Sequence, residues 1–183
     1  MACVDPDKTE GSTPGRRTAV RLRPLEPRDA PVIQRLAADE QIADTTSNIP
    51  HPYPEGEAER WLASVAERTA AGTLRVFAIM TSDSDELKGV ISLMDIENAS
   101  AEVGFWVGVP HWGRGLAGGA LDQLCTVARD DLGLESLRAR VLARNPASAR
   151  VLERRGFACV ERATSRCGYR QHEEPTDHFL LAL

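Results

Sequence analysis

A glycine-rich segment between a strand pattern and a helix pattern is the part of this sequence best suited to hold a phosphate. Residues 110–119 read PHWGRGLAGG and directly follow the extended pattern of residues 101–109. Glycines at such a junction leave the first backbone N–H groups of the helix unobstructed, and these groups and the helix dipole attract anions. The segment lacks the Gly-Lys-Ser/Thr ending of a Walker loop and is not a Gly-x-Gly-x-x-Gly turn. It predicts a pyrophosphate site made of backbone, with an ordinary tight turn as the alternative.

The strand before this segment carries glycines on one of its two faces. Because strand side chains alternate, the valines of residues 103–109 share a core face with Phe105, and the other face carries Glu102, Gly104, Trp106 and Gly108. Glycine inside a strand weakens it and often marks the close approach of a ligand or of backbone. Two interpretations stay open, namely a ligand against this face, or a bulge or side-chain packing.

Three further side chains are able to move a proton or to position a group that does. Asn145 precedes Pro146 and is a natural N-cap of a helix, and Ser148 follows in the first turn. The Ser148 hydroxyl is available for a bond to the backbone or for proton transfer. Glu102 is a candidate general base or an ion-paired surface carboxylate. The residue types alone do not choose between these roles.

Two motifs in this order resemble those of a known enzyme family. Residues 102–121, EVGFWVGVPHWGRGLAGGAL, resemble the acetyl-CoA-binding motif Gln/Arg-x-x-Gly-x-Gly/Ala of GNAT acetyltransferases, with Trp112, Gly115 and Ala117 at its defined positions. The Trp-Gly-Arg-Gly-Leu-Ala form is similar to that of the branch containing the ribosomal-protein alanine N-acetyltransferases. Residues 145–157 resemble that branch's Asn-x-x-Ser…Glu-x-x-Gly-Phe signature. The resemblance extends over residues 18–183.

The resemblance implies acetyl-CoA as cosubstrate and assigns residues to it. The backbone of Val107, Gly108 and Val109 would bond the pantetheine arm in the manner of an added strand. Asn145 would also contact the pantetheine. The residues that would hold the pyrophosphate are Trp112, Gly113, Arg114, Gly115, Leu116 and Ala117.

The same resemblance implies the catalytic groups. The Ser148 hydroxyl would protonate the leaving thiolate, and Glu102, which matches an acidic position common in the branch, would take the proton of the amine directly or through water. Many GNAT enzymes use a tyrosine as general acid four residues before the glycine of Gly-Phe, but this chain has Leu152 there, which excludes that mechanism. Acidic residues in or beside the last loop would receive a cationic substrate or be solvated: Glu173, Glu174 and Asp177.

The implied reaction is acetyl transfer to a primary amine by direct attack in a ternary complex. The expected acceptor is the N-terminal α-amine of a ribosomal protein, and the loops at residues 44–56 and 165–175 are expected to select it. One alternative is a small amine such as an antibiotic or a polyamine. Another is a non-catalytic, acyl-CoA-binding regulatory module. A homodimer is common in the branch.

The elements that position these residues follow the order β-α-α-β-β-β-α-β-α-β-β. The resulting fold class is α/β (α+β), with a mixed central sheet of about seven mostly antiparallel strands flanked by about four helices. The resemblance implies a sheet that splays between the fourth and fifth strands. Residues 1–17 are polar and rich in proline and glycine, which predicts a loose tail before a single domain at residues 18–183.

Composition excludes several other classes of protein. The net charge is -5, with 22 Lys+Arg against 27 Asp+Glu, which gives no basic field for nucleic acid. The four cysteines and four histidines have no zinc-ligand spacing, and no metal is expected. No signal-peptide pattern and no membrane-spanning run is present, so the expected location is the cytoplasm.

Overall fold

A seven-stranded mixed sheet forms the centre of the molecule, in a computed structural model that describes residues 19–165 and 173–183. Its strand order is β1-β2-β3-β4-β5-β7-β6. The strands are β1 (Val20–Pro24), β2 (Leu74–Thr81), β3 (Ser84–Glu97), β4 (Ser100–Val107), β5 (Ser136–Leu142), β6 (Ala158–Ser165) and β7 (Glu174–Ala182). The tail predicted at residues 1–17 lies outside the described residues.

Helices lie on both faces of this sheet. The helices are α1 (Ala30–Ala37), α2 (Glu40–Thr45), α3 (Glu57–Ala70), α4 (Leu116–Thr126) and α5 (Pro146–Glu153), and α4 continues into a π-helical turn at Val127–Asp131. In the part of the chain that the structure describes, no helix has both the length and the apolar character needed to cross a membrane. The predicted fold class, a mostly antiparallel α/β sheet, is confirmed.

The sheet separates two apolar cores. One core packs α4 against the face of β4 that carries Val103 and Val107, together with Leu137 of β5 and Leu152 of α5. The other packs α1 and α3 against the opposite face of the sheet, around Val90 and with Trp106 at its margin. The predicted alternation along β4 is therefore correct, and its glycine-bearing face is also covered over part of its length.

The sheet opens between β4 and β5, as predicted. These are the only parallel neighbours among the described strands, and they pair at three positions, where Ser100–Glu102 faces Ser136–Arg138. Beyond this pairing β4 continues to Val107 and β5 to Leu142 without a shared ladder. Backbone groups on the facing edges of the two strands are therefore left to bind something else.

The sequence of residues 27–42, a proline followed by an apolar helical period, predicts one helix, but the structure has two α-helices there because Asp39 interrupts it. Asp39 has extended backbone angles (φ -68°, ψ 127°), and its carboxylate accepts a hydrogen bond from the Gln41 N–H at 2.9 Å. An aspartate that caps a helix start in this way ends one helix and begins the next. The described residues thus contain five α-helices where about four were predicted, and α2 is set apart as a short helix that approaches α5.

Candidate functional site

The loop between β4 and α4 is open to solvent where the phosphate site is predicted. Gly113 and Gly115 have φ values of 73° and 74°, the left-handed region that glycine adopts readily. A Cβ atom added at either position would meet no atom within 4 Å, so the space beside each glycine is empty of protein. The two glycines therefore permit the turns of the loop, and no protein atom packs against them.

This loop presents a row of backbone donors. The helical ladder of α4 begins with the Gly119 N–H, which donates to the Gly115 carbonyl at 3.0 Å, so the N–H groups of Leu116–Gly118 lie before the first helical bond. Within the described chain, residues 113–115 donate no backbone hydrogen bond to another backbone group. Consecutive unpaired donors at a helix N-terminus, beside open space, fit a diphosphate.

Basic side chains and one carboxylate, Glu86, lie near His111 at the entrance to the loop. The exposed Arg114 guanidinium donates to the Pro110 carbonyl at 3.2 Å. Partial burial lowers the pKa of the His111 imidazole, and the charges of Lys88 and Arg114 lower it further. His111 is therefore neutral at neutral pH. Glu86 offsets part of the nearby positive charge, because it is ion-paired with both Lys88 and Arg35, whereas Arg114 is exposed beside the loop.

The edge of β4 that faces the opening is partly used by the chain itself. Val107 forms a non-hydrogen-bonded pair with Gly89 of β3, because the next residue, Gly108, donates to the Lys88 carbonyl at 2.9 Å. The N–H and C=O of Val107 therefore point toward β5, and by the same alternation so do those of Phe105. The indole N–H of Trp112 donates to the Val107 carbonyl.

The predicted pantetheine contacts at Val107, Gly108 and Val109 are restricted by these bonds. The Gly108 and Val109 carbonyls accept from the backbone N–H groups of His111 and Trp112, at 2.8 and 3.2 Å. The carbonyls of all three predicted residues are thus bonded within the chain. An extended amide chain in the opening would find the Val107 N–H and both backbone groups of Phe105, a residue that the sequence did not single out.

Side-chain packing accounts for the glycines on the other face of β4. A Cβ atom at Gly104 would lie 2.8 Å from the Met94 Cε, and one at Gly108 would lie 2.9 Å from the Leu36 Cδ2. Both distances are shorter than real Cβ contacts, so larger residues would displace these side chains. Of the two interpretations left open by the sequence, packing is the one that the structure supports at these positions.

Asn145 and Ser148 lie in direct contact at the start of α5. The Asn145 Oδ1 accepts a hydrogen bond from the Ser148 N–H at 3.2 Å, which is the predicted N-cap. The Asn145 Nδ2 donates to the Ser148 Oγ at 3.0 Å and to the Thr45 carbonyl at 3.1 Å. Asn145 is 9% exposed, and Ser148 is partly exposed. The hydroxyl is thus held by a nearly buried amide that also reaches α2.

Arginines bind three carboxylates, one each from α2, β4 and β7. Arg144 bridges two of them, with its Nη1 2.8 Å from the Asp44 Oδ1 and its Nε 2.7 Å from the Glu174 Oε2. Arg140 holds Glu102, with 3.0 Å between the Arg140 Nε and the Glu102 Oε1. Glu102 was left open as a base or an ion-paired group, and it is ion-paired here.

The acidic residues near the last loop differ from the prediction of a solvated loop. Glu174 is the first residue of β7 and is 9% exposed, so only Glu173 is exposed to solvent. Asp177 lies within β7, and a hydrogen bond from Arg162 holds the pKa of its carboxyl below the ordinary value. Most of the loop at residues 165–175 lies outside the described residues.

Two grooves lie in different parts of the described surface. One, of about 230 Å³, is formed by α2 and residues 46–51, and its lining includes Glu40, Asp44 and His51. The other, of about 330 Å³, lies at the C-terminal end of α4 beside Cys125. The first groove is lined by Asp44 and Thr46, the two sequence neighbours of Thr45, whose carbonyl accepts a hydrogen bond from Asn145. None of the predicted site residues lines the second groove.

Sequence reasoning missed the arginines that organise the site and the part played by α2. Arg140 and Arg144 alternate with apolar residues in the segment RARVLAR, at residues 138–144, and this alternation is the available signal that they leave the core face. No comparable signal marks Thr45, because its partner is 100 residues away along the chain.

Comparison with known protein families finds a match over most of the chain. Residues 19–158 match the family described as "Acetyltransferase (GNAT) domain". The chain is 27% identical over 138 residues to an uncharacterized N-acetyltransferase, p20, of Bacillus licheniformis, which covers 74% of this chain and 77% of that protein.

Solved structures share the fold. The structure of Mycobacterium smegmatis RimJ in complex with CoA-disulfide superposes with a TM-score of 0.81 at 20% identity, covering 91% of this chain and 84% of that one. Spermidine N-acetyltransferase of Vibrio cholerae in complex with CoA and spermine gives a TM-score of 0.77 at 19% identity, covering 90% and 95%. At these identities the likeness shows a shared fold.

Proposed function

Because this chain belongs to the GNAT acetyltransferase family and is an acetyl-CoA-dependent N-acetyltransferase, we propose that its acceptor is the N-terminal α-amine of a protein, a ribosomal protein foremost. The loop from Trp112 to Ala117 would hold the diphosphate of acetyl-CoA. The opening between β4 and β5 would receive the pantetheine arm. The observation that carries the choice of acceptor is that three candidate carboxylates, Glu102, Asp44 and Glu174, are each bound by an arginine.

The basicity of the acceptor decides how much help it needs from the enzyme. An α-amine with a pKa of about 7.7–8.0 is roughly one-tenth neutral at pH 7, whereas a lysine side chain with a pKa of about 10.4 is neutral to a few parts in ten thousand. The difference corresponds to about 3.5 kcal/mol of deprotonation free energy. An α-amine therefore reacts at a site with a weak base, and a lysine requires a strong one.

The carboxylates of this site suit a weakly basic acceptor. Glu102 is bound by Arg140, and Asp44 and Glu174 are both bound by Arg144. A carboxylate that takes a proton from an amine would have to weaken its bond to the arginine in the same step. Glu102 is accordingly proposed as a base that acts through water, on an amine that is already partly neutral.

Ser148 and Glu102 would each carry one of the two proton transfers of the reaction. Acetyl-CoA supplies an activated thioester. The amine nitrogen forms the new C–N bond to the acetyl carbon as the C–S bond breaks, and the electron pair of that bond goes to sulfur. The Ser148 hydroxyl donates its proton to the sulfur and is reprotonated by the proton that the nitrogen releases, which Glu102 relays. The products are an amide and a free thiol, and alignment of the two substrates supplies much of the rate, about 7–11 kcal/mol in favourable cases.

The groove beside α2 favours a second candidate, a small cationic amine. Its lining includes Glu40 and Asp44, and it lies next to Thr45, which is bonded to Asn145. A volume of about 230 Å³ is too small for a folded chain and accommodates a short amine or a few residues of an extended peptide. The groove therefore admits either class of acceptor.

A panel of acceptors separates the two candidates. Peptides with the N-terminal sequences of ribosomal proteins, the same peptides with a blocked α-amine and an internal lysine, and spermidine would each be incubated with acetyl-CoA, and free thiol would be measured. The proposal predicts rapid release with the free α-amine only. Release with spermidine alone would refute the choice of a protein N-terminus and leave acetyl transfer intact.

A further inference from the structure

We infer that Asn145 is a positioning residue that sets the direction of the Ser148 hydroxyl proton and joins it to the acceptor groove at α2. This inference rests on the proposed role of Ser148 in acetyl transfer. It differs from the cofactor contact that the sequence suggested for Asn145.

The hydrogen-bonding capacity of the Asn145 side chain is nearly exhausted within the chain. A primary amide has two donor hydrogens, and both are used, one on the Ser148 Oγ at 3.0 Å and one on the Thr45 carbonyl at 3.1 Å. The Oδ1 already accepts from the Ser148 N–H at 3.2 Å. Both donors of the side chain are therefore used within the chain, and these contacts point to an internal role.

The bond from Asn145 fixes how the Ser148 hydroxyl behaves. Because the Oγ accepts a hydrogen bond from Nδ2, one of its lone pairs is occupied, and its own proton is directed away from the amide. The Asn145 Oδ1 is taken up by the Ser148 N–H and does not compete for that proton. A hydroxyl held in this way is a donor toward whatever lies in front of it, which is the state that a general acid needs.

The same amide closes the C-terminal end of α2. The last carbonyls of a helix lack partners inside the helix. Here the Thr45 hydroxyl donates to the Gln41 carbonyl at 2.7 Å, the Thr46 hydroxyl donates to the Ile42 carbonyl at 2.8 Å, and Asn145 serves the Thr45 carbonyl. Arg144 adds its ion pair to Asp44. A displacement of α2 by an acceptor in the groove would therefore act on Asn145, and through it on the Ser148 proton.

The variant Asn145→Asp tests this with little change of shape. Its first carboxylate oxygen still caps the Ser148 N–H, so α5 keeps its N-cap. Its second oxygen replaces a donor by an acceptor, which opposes the Thr45 carbonyl and attracts the Ser148 proton. We expect kcat to fall at least about a hundredfold, close to the loss in Ser148→Ala, since general acid catalysis is worth about 10²–10⁴. The Kd for acetyl-CoA should change little.

Asn145→Ser and Asn98→Asp are the matched controls. Serine is also a good N-cap but cannot reach either Nδ2 partner, so Asn145→Ser should keep the fold and still lose kcat. Asn98→Asp adds the same charge at the exposed β3–β4 turn, where φ is 49° and both residue types are tolerated. It should match the wild type in kcat and in Tm.

A double-mutant cycle, measured with and without substrate, decides the matter. Asn145→Asp in a Ser148→Ala background should lower kcat little further, because both changes remove the same proton transfer. In the free protein, Asn145→Ala should lower Tm less in the Ser148→Ala background than in the wild type. Hydrogen exchange at the Ser148 amide should stay slow in Asn145→Asp.

Three outcomes would overturn the inference. Wild-type kcat in Asn145→Asp would show that the amide donors do not direct the proton. Fully additive losses would show that Asn145 acts independently of Ser148. A wild-type protein that binds acetyl-CoA and acetylates no amine would refute the proposed function, and with it any role of Asn145 in transfer. Equal kcat in the wild type and Asn145→Asp would instead refute the inference alone.

Discussion

Replacing Gly115 by alanine separates the cost of loop strain from the loss of phosphate binding. Gly115 is the N-cap residue of α4 at a φ of 74°, and a Cβ atom there would touch no protein atom within 4 Å. Alanine in the left-handed region costs about 1–2 kcal/mol, and the stiffer unfolded chain returns about 0.4–1 kcal/mol of this. The expected loss of stability is about 1 kcal/mol, or roughly 2–4 °C in Tm for a chain of this size.

The effect on acetyl-CoA should be larger than the effect on folding. The added methyl group occupies the open space in which the diphosphate would lie, and it removes at least one bond from a backbone N–H to a charged oxygen. Hydrogen bonds to charged groups are worth about 1.5–3 kcal/mol. The Kd measured by calorimetry should therefore rise roughly tenfold to a hundredfold.

Gly133→Ala is the matched control for this experiment. Gly133 also has a positive φ, 62°, is exposed, and has no atom within 4 Å of its Cβ position, but it lies after the π-helical turn, at the other end of α4. It should lose similar stability and keep the wild-type Kd. Equal affinities in Gly115→Ala and Gly133→Ala would refute the assignment of the β4–α4 loop to the phosphates.

Three other perturbations test the remaining parts of the site and fold. Ser148→Ala should lower kcat about a hundredfold at an unchanged Kd for acetyl-CoA, measured by thiol release and calorimetry; a raised Kd at wild-type kcat would argue against a general acid. Glu102→Gln should lower kcat roughly tenfold at pH 7 and much less near pH 9, where an α-amine is neutral without help; a loss that is constant with pH would indicate a structural role. Asp29→Asn should destabilise the protein by about 3 kcal/mol, because it removes the charge that is paired with the largely buried Arg23 and can accept only one of the two hydrogen bonds, of 2.8 and 2.7 Å, that Arg23 donates to Asp29. Burial opposes ionisation of Asp29, but the hydrogen bonds from Arg23 and from the Glu26 N–H outweigh it and hold the pKa of the Asp29 carboxyl below its ordinary value of 3.8. The stabilisation from this ion pair is therefore present above about pH 4 and is lost as the pH falls further. Urea melts of the wild type at decreasing pH should show this loss.

Local signals in the sequence were sufficient for the fold and for the position of the junction between β4 and α4. The segment LRVFAIMT coincides with β2, Leu74–Thr81, because apolar, β-branched residues between turn residues specify a strand. The start of α4 at Leu116, directly after Gly115, follows from the junction of strand and helix patterns. The splayed sheet, in contrast, was implied by family resemblance rather than by periodicity.

The features that the sequence did not reveal depend on contacts between distant segments. Asp39 divides the first helix by a local cap, which competes with an apolar period that continues across it. Arg144 meets Asp44 and Glu174 only because α2, β5 and β7 converge in the folded chain. Asn145 was recognisable as a cap from the proline after it, but its bond to the Thr45 carbonyl was not. Pairing partners of this kind follow from topology, which a single sequence does not give.

Amide chemical shifts of the ¹⁵N-labelled protein, recorded while acetyl-CoA is added, report most directly on the backbone donors. The largest changes should occur at Gly113, Gly115 and Ala117, with smaller ones at Phe105 and Val107 in the opening of the sheet. Saturating acetyl-CoA that leaves these five amides unchanged, or that shifts those beside Cys125 instead, would contradict the proposed site.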